Sequence, residues 1–497
     1  MSETDTEVKS LAALGLDAPD GQDTMITGLS VDSRDVRPGH LFAALPGINA
    51  HGGSFIRYAL RMGAGAILTD AKGAALAKAE LRSAGVPVVV SPDPRLSLAK
   101  AAGRWFGAQP RTMVAVTGTN GKTSVASFTR QIWEELGLRA VNFGTTGVEG
   151  CISAPLAHTT PEPVTLHRLL ARLAREEVTH AAMEASSHGL DQRRLDGVSL
   201  RAAAFTNFTQ DHLDYHDGFD AYFAAKAGLF QRVLPAEGTA VVNIDDPRAA
   251  DLVSIAKARG LTLVRVGRAE AAGLRLLGQR FDATGQEMRY SFGGETRMSR
   301  LSLIGGFQAE NVLLAAGLAI SCGADAADVF GAFDKLNTVR GRMELAATRT
   351  NGASVFVDYA HTPDALATAL KALRPHVLGR LIVVFGAGGD RDRGKRPLMG
   401  HAAREHADLM IVTDDNPRGE EPGLIRRAIL ETCPEATEIG DRAEAILAGV
   451  DALGPGDALL IAGKGHETGQ IIGDDILDFN DCEQASIAAA ALDGTAL

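Results

Sequence analysis

The sequence predicts an α/β fold divided among several domains, on three observations. Short apolar, β-prone runs, such as 113–117, 178–183, 381–385 and 458–461, alternate with stretches of helical spacing. Clusters of polar residues follow several of these runs directly, as ligand-bearing loops follow the strands of an open parallel sheet. The chain has 497 residues, too many for one hydrophobic core, so two to four domains are expected.

Composition narrows the function classes. Hydrophobic residues make up 45% and aromatics only 5%, so the cores rest on Ala, Leu, Val and Ile. A net charge of −11 argues against broad nucleic-acid binding or attachment to an anionic membrane. Cys151, Cys322, Cys433 and Cys482 are scattered without metal-ligand spacing, which fits a reducing compartment and no disulfide framework. The opening M-S-E-T-D-T-E is acidic and unlike a signal peptide, and no apolar run reaches membrane-spanning length. A cytoplasmic enzyme without membrane insertion is the expectation.

Residues 1–107 read as a small α/β unit. Strands are expected at 29–31, 41–45, 66–69 and 88–90, with helices at 55–62 and 94–106. Asp32-Ser33-Arg34 and the glycine-rich loop 47–53 could contact a polar ligand or be ordinary turns.

The strongest signal follows. The run 113–117 reads as a buried strand, Gly118-Thr119-Asn120-Gly121 as a tight loop, and 124–136 as a helix entered through Lys122 and Thr123. A strand, a Gly-bounded loop and a helix N-terminus make a phosphate cradle. Lys122 adds a point charge at the outer phosphates, and the Thr123 hydroxyl suits a magnesium ion. The usual motif, G-x-x-x-x-G-K-[ST], would place its first glycine at Val116, so this loop is a shortened form.

Glu184 ends the strand 178–183, the usual place of a magnesium partner; the alternative is a helix cap. The strand 202–207 leads to T-Q-D-H-L-D-Y-H (209–216), denser in His and Asp than a solvated loop needs. Lys226 lies in an apolar helical stretch, 219–230. It either snorkels to solvent or, if buried, has a lowered pKa and reacts with carbon dioxide. A carbamate there would be an anionic metal ligand. Beyond residue 340, strands end in D-Y-A-H-T-P (358–363), G-A-G-G-D-R-D (386–392), D-D-N-P-R (414–418) and A-G-K-G-H-E (462–467). The run 386–392 lacks the third glycine of a dinucleotide fingerprint.

In order along the chain, G-T-N-G-K-T-S (118–124), H-T-T-P-E (158–162), M-E-A-S-S-H-G-L (183–190), D-H-L-D-Y-H (211–216), A-A-K (224–226), G-R-M-E (341–344), D-Y-A-H-T-P, G-G-D-R-D-R-G-K-R-P (388–397), D-N-P-R (415–418) and G-K-G-H-E (463–467) resemble the motifs of the Mur ligases. These are ATP-dependent enzymes of bacterial peptidoglycan precursor synthesis. The likeness spans nearly the whole chain and is greatest to the branch that adds the third amino acid of the peptide. It implies a monomer of three domains: a UDP-binding domain (1–107), a central P-loop ATPase (108–340) and a C-terminal Rossmann-like domain (341–497).

Residue by residue, the resemblance implies ATP contacts from Gly118, Thr119, Asn120, Gly121, Lys122, Thr123, Ser124, Asn311, Arg342 and Asp358. Val31, Ser33 and the 47–53 loop match positions at the UDP end, and Thr159, Thr160, Ser186, Gln192 and Arg194 those gripping the muramoyl-dipeptide of UDP-MurNAc-L-Ala-D-Glu. Thr123, Glu184, His212 and Lys226, the last as N6-carboxylysine, match the Mg2+ site; Lys122, Glu184, His212 and Lys226 form the implied catalytic set. Gln308 departs from the more usual Asn three residues before Asn311.

The implied amino-acid site comprises Arg391, Asp415, Asn416, Pro417, Arg418, Gly463 and Glu467. Relatives that add lysine usually lack the arginine of D-N-P-R. Arg418 offers a planar fork for the distal carboxylate of meso-diaminopimelate, Arg391 a cation for a second carboxylate, and Asp415, Asn416 and Glu467 acceptors for the ammonium. Lysine is expected to leave Arg418 buried and unpaired. The implied chemistry activates a carboxylate by phosphoryl transfer from ATP, giving an acyl phosphate that an amine attacks. Folylpolyglutamate synthase shares such an ATPase core, but D-N-P-R and Asp32-Ser33-Arg34 speak against it. A nucleotide-dependent switch would not need Lys122, Glu184, His212 and Lys226 together.

Overall fold

The computed structural model describes residues 8–18, 23–47, 50–209, 215–282 and 284–495. The chain packs as two compact units, one of residues 1–265 with 317–324, the other of 266–316 with 325–497.

The first unit opens with a parallel sheet of four strands in chain order, β1 (Gly28–Ser30), β2 (His40–Ala44), β3 (Ala66–Thr69) and β4 (Val88–Val90). Helix α1 (Pro94–Phe106) covers it, burying Leu98, Ala101, Ala102 and Trp105; Asp93 caps it and Pro94 opens it. The helix expected at 55–62 is present as Ile56–Arg61, entered through a 3-10 turn, Gly52–Phe55. The His51 ring caps that turn by accepting from Gly53 N.

A larger sheet follows. Six of its ten strands are β5 (Thr112–Thr117), β6 (Ala140–Gly144), β7 (Gly147–Gly150), β8 (His180–Glu184), β9 (Ala202–Phe205) and β10 (Thr239–Asn243), in the order β10-β9-β5-β8-β6-β7. All pairs are parallel except β6 with β7. Strand β5 is buried at all six residues, as a central strand covered on both faces must be. Helix α2 (Lys122–Glu135) turns Val125, Phe128, Ile132 and Trp133 inward. It begins two residues before the expected start, because Gly121, at φ 82°, serves as its N-cap.

The second unit holds an antiparallel run, β11 (Leu274–Asp282), β12 (Gly285–Phe292) and β13 (Glu295–Leu301), which the sequence reading did not place. Gly293-Gly294, both at positive φ, form the two-residue turn between the last two strands. Its main sheet contains β14 (Glu344–Thr348), β15 (Ser354–Asp358), β16 (Leu381–Phe385), β17 (Leu409–Val412), β18 (Thr437–Glu438) and β19 (Ala458–Ala462), ordered β14-β15-β19-β16-β17-β18. Only β14 runs antiparallel to its neighbour. Among the described residues no helix is long and apolar enough to cross a membrane.

Helix α3 (Pro163–Arg175) packs on α1, and its His167 is buried there against the Gly103 and Gly197 backbone. Among the described residues its Nε2 has no hydrogen-bond partner, and burial pushes the imidazole down to about 4. The folded state therefore rejects a proton that the unfolded chain accepts near 6.5. Stability should be intact above pH 6.5 and fall as the pH drops toward 4, by up to roughly 3 kcal/mol from this group. In denaturant titrations at both pH values, His167→Leu should lose less stability on acidification than the parent chain. An equal loss would contradict this.

Candidate active site

The parallel register brings three strand ends together. Glu184 pairs with Val116, and Phe205 with Thr117, so the loops after β5, β8 and β9 leave the sheet side by side. The phosphate loop is held by its neighbours. Thr119 N donates to Asn207 O (2.8 Å), Asn120 N to Asn207 Oδ1 (2.9 Å) and Thr206 Oγ1 to Asn120 O (2.5 Å). Gly118, at φ 148°, passes so close to Thr206 that a Cβ would collide with its hydroxyl. Lys122 and Thr123 are the first two helical residues, and Thr123 and Ser124 are buried beside the loop.

Two lysines converge on one carbonyl. Lys122 Nζ donates to Gly118 O (3.1 Å) and Thr119 O (2.7 Å), and Lys226 Nζ donates to Gly118 O (2.7 Å). Lys226 is 1% exposed, which decides against the snorkelling alternative. It lies on α4 (Gly218–Gly228), with its Nζ 4.4 Å from the Tyr222 ring centroid. The Tyr222 hydroxyl shares a 3.3 Å hydrogen bond with Thr119 Oγ1.

Glu184 is buried at the end of β8 and is not a helix cap; Ser186 caps the next turn, accepting from Gly189 N. The Glu184 carboxylate accepts from Thr145 N (2.7 Å) and Thr145 Oγ1 (3.1 Å), and Thr145 Oγ1 meets Thr159 Oγ1 at 3.2 Å. Thr160 Oγ1 donates to Glu184 O and accepts from Ser186 N. Arg194 donates to Thr160 O (2.5 Å) and Gln192 Oε1 (2.9 Å), and burial lowers its pKa. Thr159, Thr160, Ser186, Gln192 and Arg194 thus form one network with Glu184. His212 lies outside the described residues, as do Asp211 and Asp214.

The second unit builds a separate cluster where β16, β17 and β19 end. Asn416 is buried, and its Oδ1 accepts from Lys464 Nζ (2.9 Å) and Ile471 N (2.9 Å) while its Nδ2 donates to Glu467 Oε2 (2.9 Å). Both lone pairs of Oδ1 are engaged, and this side chain fastens the two loops together. Buried Lys464 also reaches Asp415 (3.7 Å); burial lowers its pKa, and burial raises that of Glu467. Arg418 is half-buried, and its Nη1 donates to Gly389 O (3.1 Å) and Asn416 O (3.2 Å). Asn416 and Arg418 flank Pro417 at φ 45° and 51°, a left-handed conformation that marks stored strain in a non-glycine residue. Gly463 closes beneath them, where a Cβ would collide with Asp415 Oδ2. Arg391 is exposed on the neighbouring loop.

Of the remaining expected contacts, Asp358 adjoins the second cluster, its carbonyl accepting from Gly463 N (3.1 Å). Val31 is exposed and Ser33 opens a 3-10 turn, Ser33–Asp35, where Asp32 and Arg34 pair with each other. Asp358 accepts from Met343 N (2.8 Å) and Ala360 N (2.9 Å), and burial raises its pKa. Arg342 stacks 4.8 Å from the Tyr359 ring centroid. Asn311 donates to Gln308 Oε1 (3.0 Å), so the unusual Gln308 orients the Asn311 amide.

Three family descriptions match this chain in succession: "Mur ligase family, catalytic domain" over residues 25–106, "Mur ligase middle domain" over 116–319, and "Mur ligase, glutamate ligase domain" over 341–465. The UDP-N-acetylmuramoyl-L-alanyl-D-glutamate–2,6-diaminopimelate ligase of Bradyrhizobium diazoefficiens is 51% identical, covering 94% of this chain and 95% of its own length. The chain belongs to the Mur ligase family. The ligase of the same name from Caulobacter vibrioides is 49% identical over 96% and 98% of the two chains. A solved structure bearing that ligase name is 33% identical and superposes with a TM-score of 0.72, covering 98% of this chain and 99% of that one. An ADP complex of folylpolyglutamate synthase from Mycobacterium tuberculosis, 19% identical with a TM-score of 0.62, shares the fold over 75% of this chain and 92% of its own.

Sequence reasoning passed over several residues that build this Mur ligase site. Thr206 and Asn207 close the expected strand 202–207 and Thr145 follows A-V-N-F-G (140–144), and that position is the available signal. Tyr222 and Lys464 read as ordinary neighbours of more conspicuous residues. Gly118→Ala should weaken ADP binding by roughly tenfold or more in calorimetry, because it adds both a collision and a φ penalty. Unchanged affinity would show that the loop tolerates a different course.

Proposed function

We propose that this Mur ligase joins meso-diaminopimelate to the D-glutamate of UDP-N-acetylmuramoyl-L-alanyl-D-glutamate, with cleavage of ATP to ADP and phosphate, in the cytoplasm during peptidoglycan precursor synthesis. The observation that supports this most is the near-full-length identity of about half to relatives of that name. The reading divides the chain into a UDP-binding domain (1–107), an ATPase domain (108–340) and an amino-acid domain (341–497).

A carboxylate does not condense with an amine at neutral pH, because its oxygen leaves poorly. Phosphoryl transfer from ATP converts it to an acyl phosphate. In this reading the N–H groups of residues 118–124 cradle the nucleotide phosphates, and Lys122 leaves its loop carbonyls for the transferring group. Asn311, Arg342 and Asp358 complete the nucleotide contacts. Thr159, Thr160, Ser186, Gln192 and Arg194 orient the carboxylate, and Val31 and Ser33 serve the UDP end. The amine then attacks the acyl carbon and phosphate departs.

Magnesium fits this site. Buried Thr123, at the start of α2, and buried Glu184, at the end of β8, follow the paired strands β5 and β8, and among the described residues no three His, Cys, Asp or Glu side chains cluster as a ready-made cage. That suits an ion held largely by phosphate oxygens and water. When bound, it would neutralise charge on the transferring phosphoryl group. Lys226, enclosed and aimed at the loop, fits a carbamate that would serve as a further oxygen ligand, and the family likeness adds His212 to the expected set.

The amino-acid pocket is assigned to Arg418, Asp415 and Glu467, with Arg391, Gly463 and Pro417 at its edges. The free side of the Arg418 fork suits a distal carboxylate, and two carboxylates suit an ammonium. Because Arg418 is half-exposed and already bonded to carbonyls, lysine is disfavoured less than a fully buried orphan charge would dictate.

Phosphate release tests the reading: it should require both the UDP-muramoyl-dipeptide and diaminopimelate, with lysine a poor substitute. Release with lysine alone or without the muramoyl substrate would refute it. Lys226→Ala should be nearly inactive and partly rescued by short carboxylic acids; high activity without additive would remove the carbamate. Arg418→Ala should raise the KM for diaminopimelate far more than that for ATP, and a parallel rise would place Arg418 outside the pocket.

A further inference from the structure

Arg442 is a buried cation of the second unit. It opens α5 (Arg442–Asp451), and its side chain is 1% exposed. Its Nε donates to Asp481 Oδ1 (2.7 Å) and its Nη2 to Asp481 Oδ2 (2.7 Å). Asp481 is the first residue of α6 (Asp481–Asp493) and is itself fully buried. The same guanidinium donates onward, from Nη1 to Asp414 O (3.3 Å) and from Nη2 to Ala462 O (3.1 Å).

Those carbonyls belong to the exits of two strands that are not neighbours. Asp414 follows β17, Ala462 ends β19, and β16 runs between them. Asp415–Arg418 begins one residue beyond the first carbonyl, and Gly463–Glu467 one residue beyond the second. A single rigid plane therefore links the roots of both loops. The charges of Asp481, Asp415 and Glu467 favour the guanidinium cation, while burial alone opposes it.

We infer that Arg442 is a positioning residue for the amino-acid pocket: its guanidinium, held in plane by Asp481, sets the spacing of the D-N-P-R and G-K-G-H-E loops. This rests on the pocket proposed above. The strained Asn416 and Arg418 backbones need surroundings that over-determine them, and the two carbonyl anchors supply that at the loop root. A buried ion pair is by itself a weak source of stability, since a well-packed apolar pair often replaces it without loss. A lysine at 442 would keep the charge opposite Asp481, but its single nitrogen cannot reproduce the fork.

The test compares Arg442→Lys and the double variant Arg442→Met with Asp481→Leu, which removes the pair without leaving an orphan charge. Thermal midpoints report the fold, and phosphate release reports the KM values for diaminopimelate and ATP. Both variants should raise the diaminopimelate KM by roughly tenfold or more and hold the ATP KM within about twofold, even where the midpoint matches the parent. Three results would overturn the proposal: a parallel rise of both KM values, a parental diaminopimelate KM in the folded double variant, or failure of both variants to fold. The last would assign the pair to stability alone. If the parent enzyme itself does not use diaminopimelate, the substrate assignment fails separately. The same KM split is then read with whichever amino acid the parent accepts.

Discussion

Parallel pairing of β5 with β8 and β9 is the constraint on which the phosphate half of this molecule depends. Because neighbouring strands end level, with Glu184 opposite Val116 and Phe205 opposite Thr117, three loops emerge within reach of one another. The phosphate loop is then shaped by partners more than eighty residues away, Thr206 and Asn207, and not by its own glycines alone. Lys226 arrives from α4 and shares the Gly118 carbonyl with Lys122. Apart from the Lys122 contacts, that arrangement is not local in sequence; it follows from register.

The second unit solves a similar problem with buried charge. Its pocket residues sit at the ends of β17 and β19, on loops tied by Asn416 and Lys464 above and Arg442 below. Left-handed backbone at Asn416 and Arg418 is unfavourable for an isolated turn. Dense hydrogen bonding around it explains why it persists. Both units place their chemistry at carboxyl ends of parallel strands, with apolar strands beneath as a rigid floor.

Much of this was legible in the sequence because the signals were local. The strand 66–69 and the helix 94–106 were placed as the structure has them, one from a β-prone apolar run, the other from helical spacing with proline at its start. The phosphate loop was legible because strand, glycine loop and Lys-Thr lie within a dozen residues. The hairpins at 274–301 were not, since their half-exposed strands lack continuous apolar runs and the Gly293-Gly294 turn went unused. Asn416 shows the other limit: residue type suggests an acceptor, but its long-range contacts with Lys464 and Ile471 cannot be read from sequence. Arg442 and Tyr222 were invisible for the same reason, their roles being set by what packs against them.

The central claim, that ATP activates a carboxylate for attack by an amine, is open to one direct measurement. The D-glutamate carboxylate of the UDP-muramoyl-dipeptide is labelled with oxygen-18, and the products formed with ATP and diaminopimelate are weighed by mass spectrometry. An acyl phosphate hands one carboxylate oxygen to the departing phosphate, so each amide formed should release one singly labelled phosphate. Amide formation with unlabelled phosphate would contradict the account.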